Sequence, residues 1–108
     1  VEILVAEVGI EARRDQMFHL LYDGTVVDER DYAAIGGDAE AIRGRLAEQW
    51  ADEMDLATAI NCGVGALSGG EREIPADELE VAALSRGNGR RCFHRLAEAE
   101  LATLLSDA

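Results

Sequence analysis

Apolar residues fill both faces of the first ten positions. Val1, Ile3 and Val5 fall on one side of an extended chain; Leu4, Ala6 and Val8 fall on the other. That pattern predicts a central strand covered on both sides, running over Val1–Ile10. Met17–Tyr22 is apolar on both faces in the same way and predicts a second strand. Asp23-Gly24 follows it. Glycine accepts the positive φ of a tight turn, so Tyr22-Asp23-Gly24-Thr25 reads as a hairpin into a third strand, Thr25–Val27. Asp28–Asp31 is a polar interruption. Tyr32–Ile35 resumes as a fourth strand and stops at Gly36-Gly37.

The period then changes. Ile42, Leu46, Trp50 and Met54 recur at helical spacing, with Asp38 as the expected N-cap. Asp55 caps a second helix, whose apolar stripe is Leu56, Ala59, Ile60, Gly63, Val64 and Leu67. Gly63 and Gly65 each cost a helix about 1 kcal/mol relative to alanine, which a close approach of a sheet or second helix, or a frayed helix end, would explain. Ser68–Asp77 is a long loop holding Pro75 and is the expected mobile segment. Leu79–Ser85 and Arg91–Leu96 form a second hairpin around Gly87-Asn88-Gly89, and Ala97–Leu105 closes as a short helix. The expected order is β-β-β-β-α-α-β-β-α in one domain, residues 1–108. Strands on either side of a helix pair mark an α+β chain.

Composition narrows the function classes. At 108 residues a single domain is expected, with 48% apolar and 30% charged residues. The net charge of −12 opposes binding to phosphate backbones or anionic lipid, so neither nucleic acid nor membrane is an expected partner. No apolar run approaches the roughly 18 residues of a membrane span, and no signal-peptide pattern is visible. Cys62 and Cys92 lie inside apolar patterns without metal-ligand spacing and read as buried free thiols of a reducing, cytoplasmic setting. The chain starts at Val1 in strand-like sequence without an initiator methionine, as a processed or partial chain would.

Candidate chemistry is sparse. No lysine follows a glycine cluster, so there is no P-loop. Gly36-Gly37-Asp38 could hold an anion at a helix start, but Asp38 and Glu40 oppose it. Ser68 sits in Ala-Leu-Ser-Gly-Gly, not in a nucleophile elbow. His19 and His94 read as packed or half-exposed strand residues; Cys92-Phe93-His94 is a weak metal pattern. The carboxylates of Asp28–Asp31 and Glu71–Glu80 lack calcium-loop spacing. Arg86, Arg90, Arg91 and Arg95 gather at the second hairpin, as a small basic patch or a solvated turn. No catalytic, cofactor-binding or metal-binding residue is expected.

The ordered set Val1–Val8, Leu21-Tyr22-Asp23-Gly24-Thr25, Asp28-Glu29, Ile35-Gly36-Gly37, the helix pair through Ala66-Leu67, Leu79–Ala82 and Arg90–Arg95 resembles the second half of a proteasome core-particle α-type subunit, of the actinobacterial kind. The resemblance implies half of a four-layer αββα N-terminal-nucleophile hydrolase sandwich. It also implies a part without catalysis of its own. The family's β-type subunits use an N-terminal threonine, whereas residue 1 here is Val1. They carry a serine where this chain has Gly37, and an Asp-x-x-Ser pattern that the Ser68–Asp77 loop lacks.

The partners implied are other α-type and β-type subunits and an activator ATPase, in a homo-oligomeric ring that gates substrate entry. The family's gate and activator-docking lysine belong to the other half, so no residue here inherits those roles. The helix pair is expected to face the β ring. Two other readings stand beside this one: a free-standing α+β oligomerising binding module using the same half-fold, and a small hydrolase built on Ser68, His19 and His94.

Overall fold

The computed structural model describes residues 1–69, 73–87 and 92–106. The first strand, β1 (Ile3–Glu7), pairs antiparallel with β2 (Gln16–Leu20), which pairs antiparallel with β3 (Val26–Glu29). Ile3 stands opposite Leu20 and Val5 opposite Phe18; on the other side of the central strand Leu20 stands opposite Val26. The expected turn joins β2 to β3. Gly24 takes φ +91°, and its N–H bonds to the Leu21 carbonyl at 3.0 Å. The Asp23 carboxylate accepts the Thr25 N–H at 3.0 Å, the local bond that makes aspartate a turn residue. That bond also holds the exposed Asp23 carboxyl below its usual pKa.

The fourth strand does not form. β3 continues through Asp28 and Glu29, the residues expected to interrupt it, and Tyr32–Ile35 joins no sheet. Asp31 takes φ +68°, and the Tyr32 N–H bonds back to the Arg30 carbonyl, turning the chain off the sheet edge. Tyr32 packs instead on Trp50, ring centroids 6.2 Å apart. Among the described residues the order is therefore β-β-β-α-α-β-β-α.

Helix α1 (Ala39–Gln49) begins at Asp38, but the Asp38 side chain makes no capping bond, contrary to expectation. Its φ of −111° and ψ of 20° fall outside the extended geometry that aims a capping carboxylate at the first free N–H groups. Trp50 is already extended, so the helical stripe ends before Met54. Helix α2 (Leu56–Ser68) is capped as expected: Asp55 is extended, and its carboxylate accepts the Thr58 N–H at 2.8 Å. Gly69 closes it in the left-handed conformation. Nothing described lies within 4 Å of where a Cβ would stand on Gly63 or Gly65, so no close approach explains them.

The second hairpin is shorter than its pattern. β4 (Ala82–Leu84) pairs antiparallel with β5 (Phe93–Arg95), extended by Ser85 N–H to Cys92 O and Leu96 N–H to Val81 O. Asn88, Gly89, Arg90 and Arg91 lie outside the described residues, as do residues 70–72 of the expected loop. The core sits where β4–β5 meets α2 and α3 (Glu98–Ser106). Ile60, Leu96 and Leu101 are buried there, with Val64, Leu79 and Val81 packed around them. Asn61 ties the two helices by donating to the Leu104 carbonyl at 3.1 Å.

Candidate interaction surface

The three-stranded sheet keeps its apolar residues but hides few of them. Ile3, Leu4 and Val5 are 49%, 38% and 45% exposed, and Val26 and Val27 are exposed as well. Directly paired residues share a face. Ile3, Val5, Phe18, Leu20 and Val26 therefore line one face; Leu4, Ala6, Met17, His19 and Val27 line the other. An apolar sheet this open marks an interaction surface.

Glu29 is the buried charged residue of this surface. Arg43 of α1 reaches its Oε1 at 3.2 Å, while Oε2 is buried without a hydrogen-bond partner. Across the sheet, Glu2 pairs with the ring of His19 at 2.5 Å.

A second tie closes the β1–β2 connection. The Asp15 carboxylate accepts the Gly9 N–H at 2.8 Å and both terminal nitrogens of Arg86, at 2.7 and 2.8 Å. Arg86 Nη1 also donates to the Gly9 carbonyl at 2.7 Å. This fork is the bidentate geometry that only arginine offers. It holds the Asp15 carboxyl down at about 2, chiefly through the Arg86 hydrogen bonds and then the Gly9 N–H.

The sign follows from the lowered value. The stabilisation is complete above the unfolded carboxylate range and is lost as pH falls from about 4 toward 2. Solvent reaches Asp15 and screens the pair, so the effect is modest. Urea midpoints of wild type and Asp15→Asn measured across that window should converge at the acid end; parallel curves would show that Asp15 carries no such linkage.

The other candidates do not assemble into a reactive centre. His94 pairs with Glu100 at 3.1 Å on the surface. The Ser68 hydroxyl donates to the Gly65 carbonyl at 3.2 Å. Cys62 and Cys92 are free and half-buried. Gly36 holds φ +112° ahead of α1. Among the described residues no group of three or more His, Cys, Asp or Glu side chains could hold a metal ion.

The basic patch resolves into separate ion pairs: Arg86 with Asp15, and Arg95 with Glu80 at 2.7 Å. Arg90 and Arg91 fall outside the described residues. An open cleft of about 1190 Å³ runs between the β1–β2 connection, the end of β3 and Leu84. Part of its charged lining is paired, Asp15 to Arg86, Glu29 to Arg43 and Arg13 to Glu11. No described helix is long and apolar enough to cross a membrane. Between α1 and α2, the Arg45 side chain donates to the Ala66 carbonyl at 2.7 Å and fixes how the pair packs.

The described residues thus define an α+β chain with a two-faced apolar sheet and a helix pair. Comparison with known families goes further: the proteasome subunit family model matches residues 1–84, and the chain belongs to that family. The relatives are alpha subunits. The proteasome subunit alpha of Streptosporangium roseum is 47% identical over 109 residues, covering 99% of this chain and 42% of that protein. That of Acidothermus cellulolyticus is 46% identical over 110 residues, covering 97% and 47%. That of Saccharopolyspora erythraea is 45% identical over 108 residues, covering 97% and 42%. The chain thus spans less than half the length of these curated relatives. The α-type, actinobacterial resemblance carried by Tyr22-Asp23-Gly24-Thr25 and its ordered companions is borne out.

Proposed function

We propose that these residues are a noncatalytic structural and assembly part of a proteasome α-type subunit. In this reading the exposed sheet is one inner layer of an N-terminal-nucleophile hydrolase sandwich, completed by the remainder of the subunit. The helix pair is an outer layer facing neighbouring α-type and β-type subunits. The assembled ring gates substrate entry and docks an activator ATPase in the cytoplasm. The observation that carries the proposal is the similarity to named alpha subunits along almost the entire chain. The two-faced apolar sheet supports it, because such faces are normally covered.

Co-production of the full natural polypeptide with a β-type subunit, followed by native mass spectrometry, tests it. The expected product is a ring assembly containing both chains. Its peptide hydrolysis should vanish when the β-type N-terminal threonine is replaced. A polypeptide that ignores the β-type subunit, or that hydrolyses peptides alone, overturns the proposal. The exposed sheet also favours a second reading, a free-standing module that covers its sheet with a second copy. Sedimentation of the polypeptide alone discriminates, since that module would be a discrete dimer and would not recruit β-type subunits.

A further inference from the structure

Glu29, the last residue of β3, carries a carboxylate that the described residues satisfy by half. Its side chain is only 5% exposed. Arg43 of α1 meets Oε1 through one bond at 3.2 Å, longer than the usual charge-assisted contact. Oε2 is buried and accepts no hydrogen bond from any described residue. Burial without a donor is costly for a charged oxygen, and buried polar atoms nearly always have one.

The surroundings favour a cation as that donor. Glu29 lines the cleft at the end of β3 together with Glu7, Asp28 and Asp31. No ion pair among the described residues uses those three carboxylates. A neutral donor would satisfy Oε2 and leave their field standing; an arginine or lysine answers both. Such residues are scarce in this chain, which holds 10 basic against 22 acidic side chains. The wall beside the oxygen can give. Residues 30–38, directly after Glu29, hold no helix or strand, and Asp31 takes φ +68°.

We infer that Glu29 anchors an arginine or lysine from the rest of the α-type subunit, outside these 108 residues, in a cation–carboxylate–cation cluster with Arg43. The inference rests on the reading of this chain as part of such a subunit. Glu29 stands opposite Met17 and so shares a face with Leu4 and Val27, which are exposed and need covering. An element that hides that face reaches the end of β3 as well. The relatives have the chain to supply it, since these residues cover only 42% of the Streptosporangium roseum protein.

A double-mutant cycle on the full natural polypeptide, read as thermal midpoints, tests the cluster. Glu29→Gln should lower the midpoint by roughly 5–10 °C, because it leaves cations beside a neutral amide. In an Arg43→Ala background it should still cost about half as much or more, because the second cation remains. With Arg43 as the sole partner, Glu29→Gln after Arg43→Ala would only remove an unpaired buried charge. A neutral or stabilising effect in that background therefore overturns the inference. Cryo-electron microscopy of the wild-type ring assembled with β-type subunits identifies the donor, and serves if Glu29→Gln does not fold. The expected finding is an arginine or lysine nitrogen of the same subunit within about 3.2 Å of Oε2. A water molecule, a backbone N–H, a side chain of residues 1–108 or one from a neighbouring subunit in that place overturns it. Failure to form a ring at all refutes the subunit reading instead, while the cycle still reports on Glu29.

Discussion

Leu101→Ala is expected to lower the unfolding free energy of the polypeptide by about 2–5 kcal/mol, because it deletes three carbons from the best-enclosed site of a small core. Leu101 is 1% exposed and is the one large side chain fully buried among the described residues. It packs where α3 meets α2 and the β4–β5 hairpin, so the cavity it leaves touches three elements at once. Typical domains have only about 5–15 kcal/mol in total, so the loss should be visible as a large drop in the urea midpoint at unchanged slope. Leu67→Ala is the matched control. It removes the same carbons from a position 53% exposed, and a surface change of that kind should stay within about 0.5 kcal/mol. Equal losses at the two positions would mean that the core does not lie where Leu101 places it.

What was legible in the chain was local. Gly24 and Asp23 announce their turn because the φ and the side-chain bond are both set within three residues. Asp55 announces α2 for the same reason. Tyr32–Ile35 misled because an apolar run does not encode where it packs. The left-handed Asp31 turns it off the sheet, and Tyr32 finds Trp50 eighteen positions later. Asp28 and Glu29 misled in the opposite sense. Two charges look like a break, yet Asp28 lies on the open face and Arg43, fourteen residues on, compensates Glu29.

The surface was half legible. Apolar positions on both faces of Val1–Ile10 predicted a covered central strand, whereas β1 is an exposed edge strand among the described residues and β2 is the central one; the ordered motifs correctly named the family. The tie between Arg86, Asp15 and Gly9 was not legible. Arg86 looked like one charge of a solvated turn, and its partners Asp15 and Gly9 lie 71 and 77 residues away. No periodicity joins positions so distant; only the tertiary fold does.

Gly9→Ala should cost roughly 2–4 kcal/mol, the sum of a backbone clash and the bonds that the clash disrupts. A Cβ on Gly9 would stand 2.5 Å from Arg14 Cβ and 2.8 Å from the Arg14 carbonyl carbon and oxygen. Those atoms belong to the 3-10 turn Ala12–Arg14 and its backbone, so no flexible side-chain end can swing aside. The β1–β2 connection must open, which pulls the Gly9 N–H off Asp15 and the Gly9 carbonyl off Arg86. Gly24→Ala makes the comparison sharp. Nothing lies within 4 Å of its Cβ position, so its cost is only the strain of φ +91° in a residue with a side chain, about 1–2 kcal/mol. Thermal unfolding of the two variants separates space from backbone strain. The larger loss should fall on Gly9, and adding Arg86→Ala to it should cost less than Arg86→Ala alone, because the shared bond is already gone. Full additivity would mean that Gly9 and Arg86 are not parts of one closure.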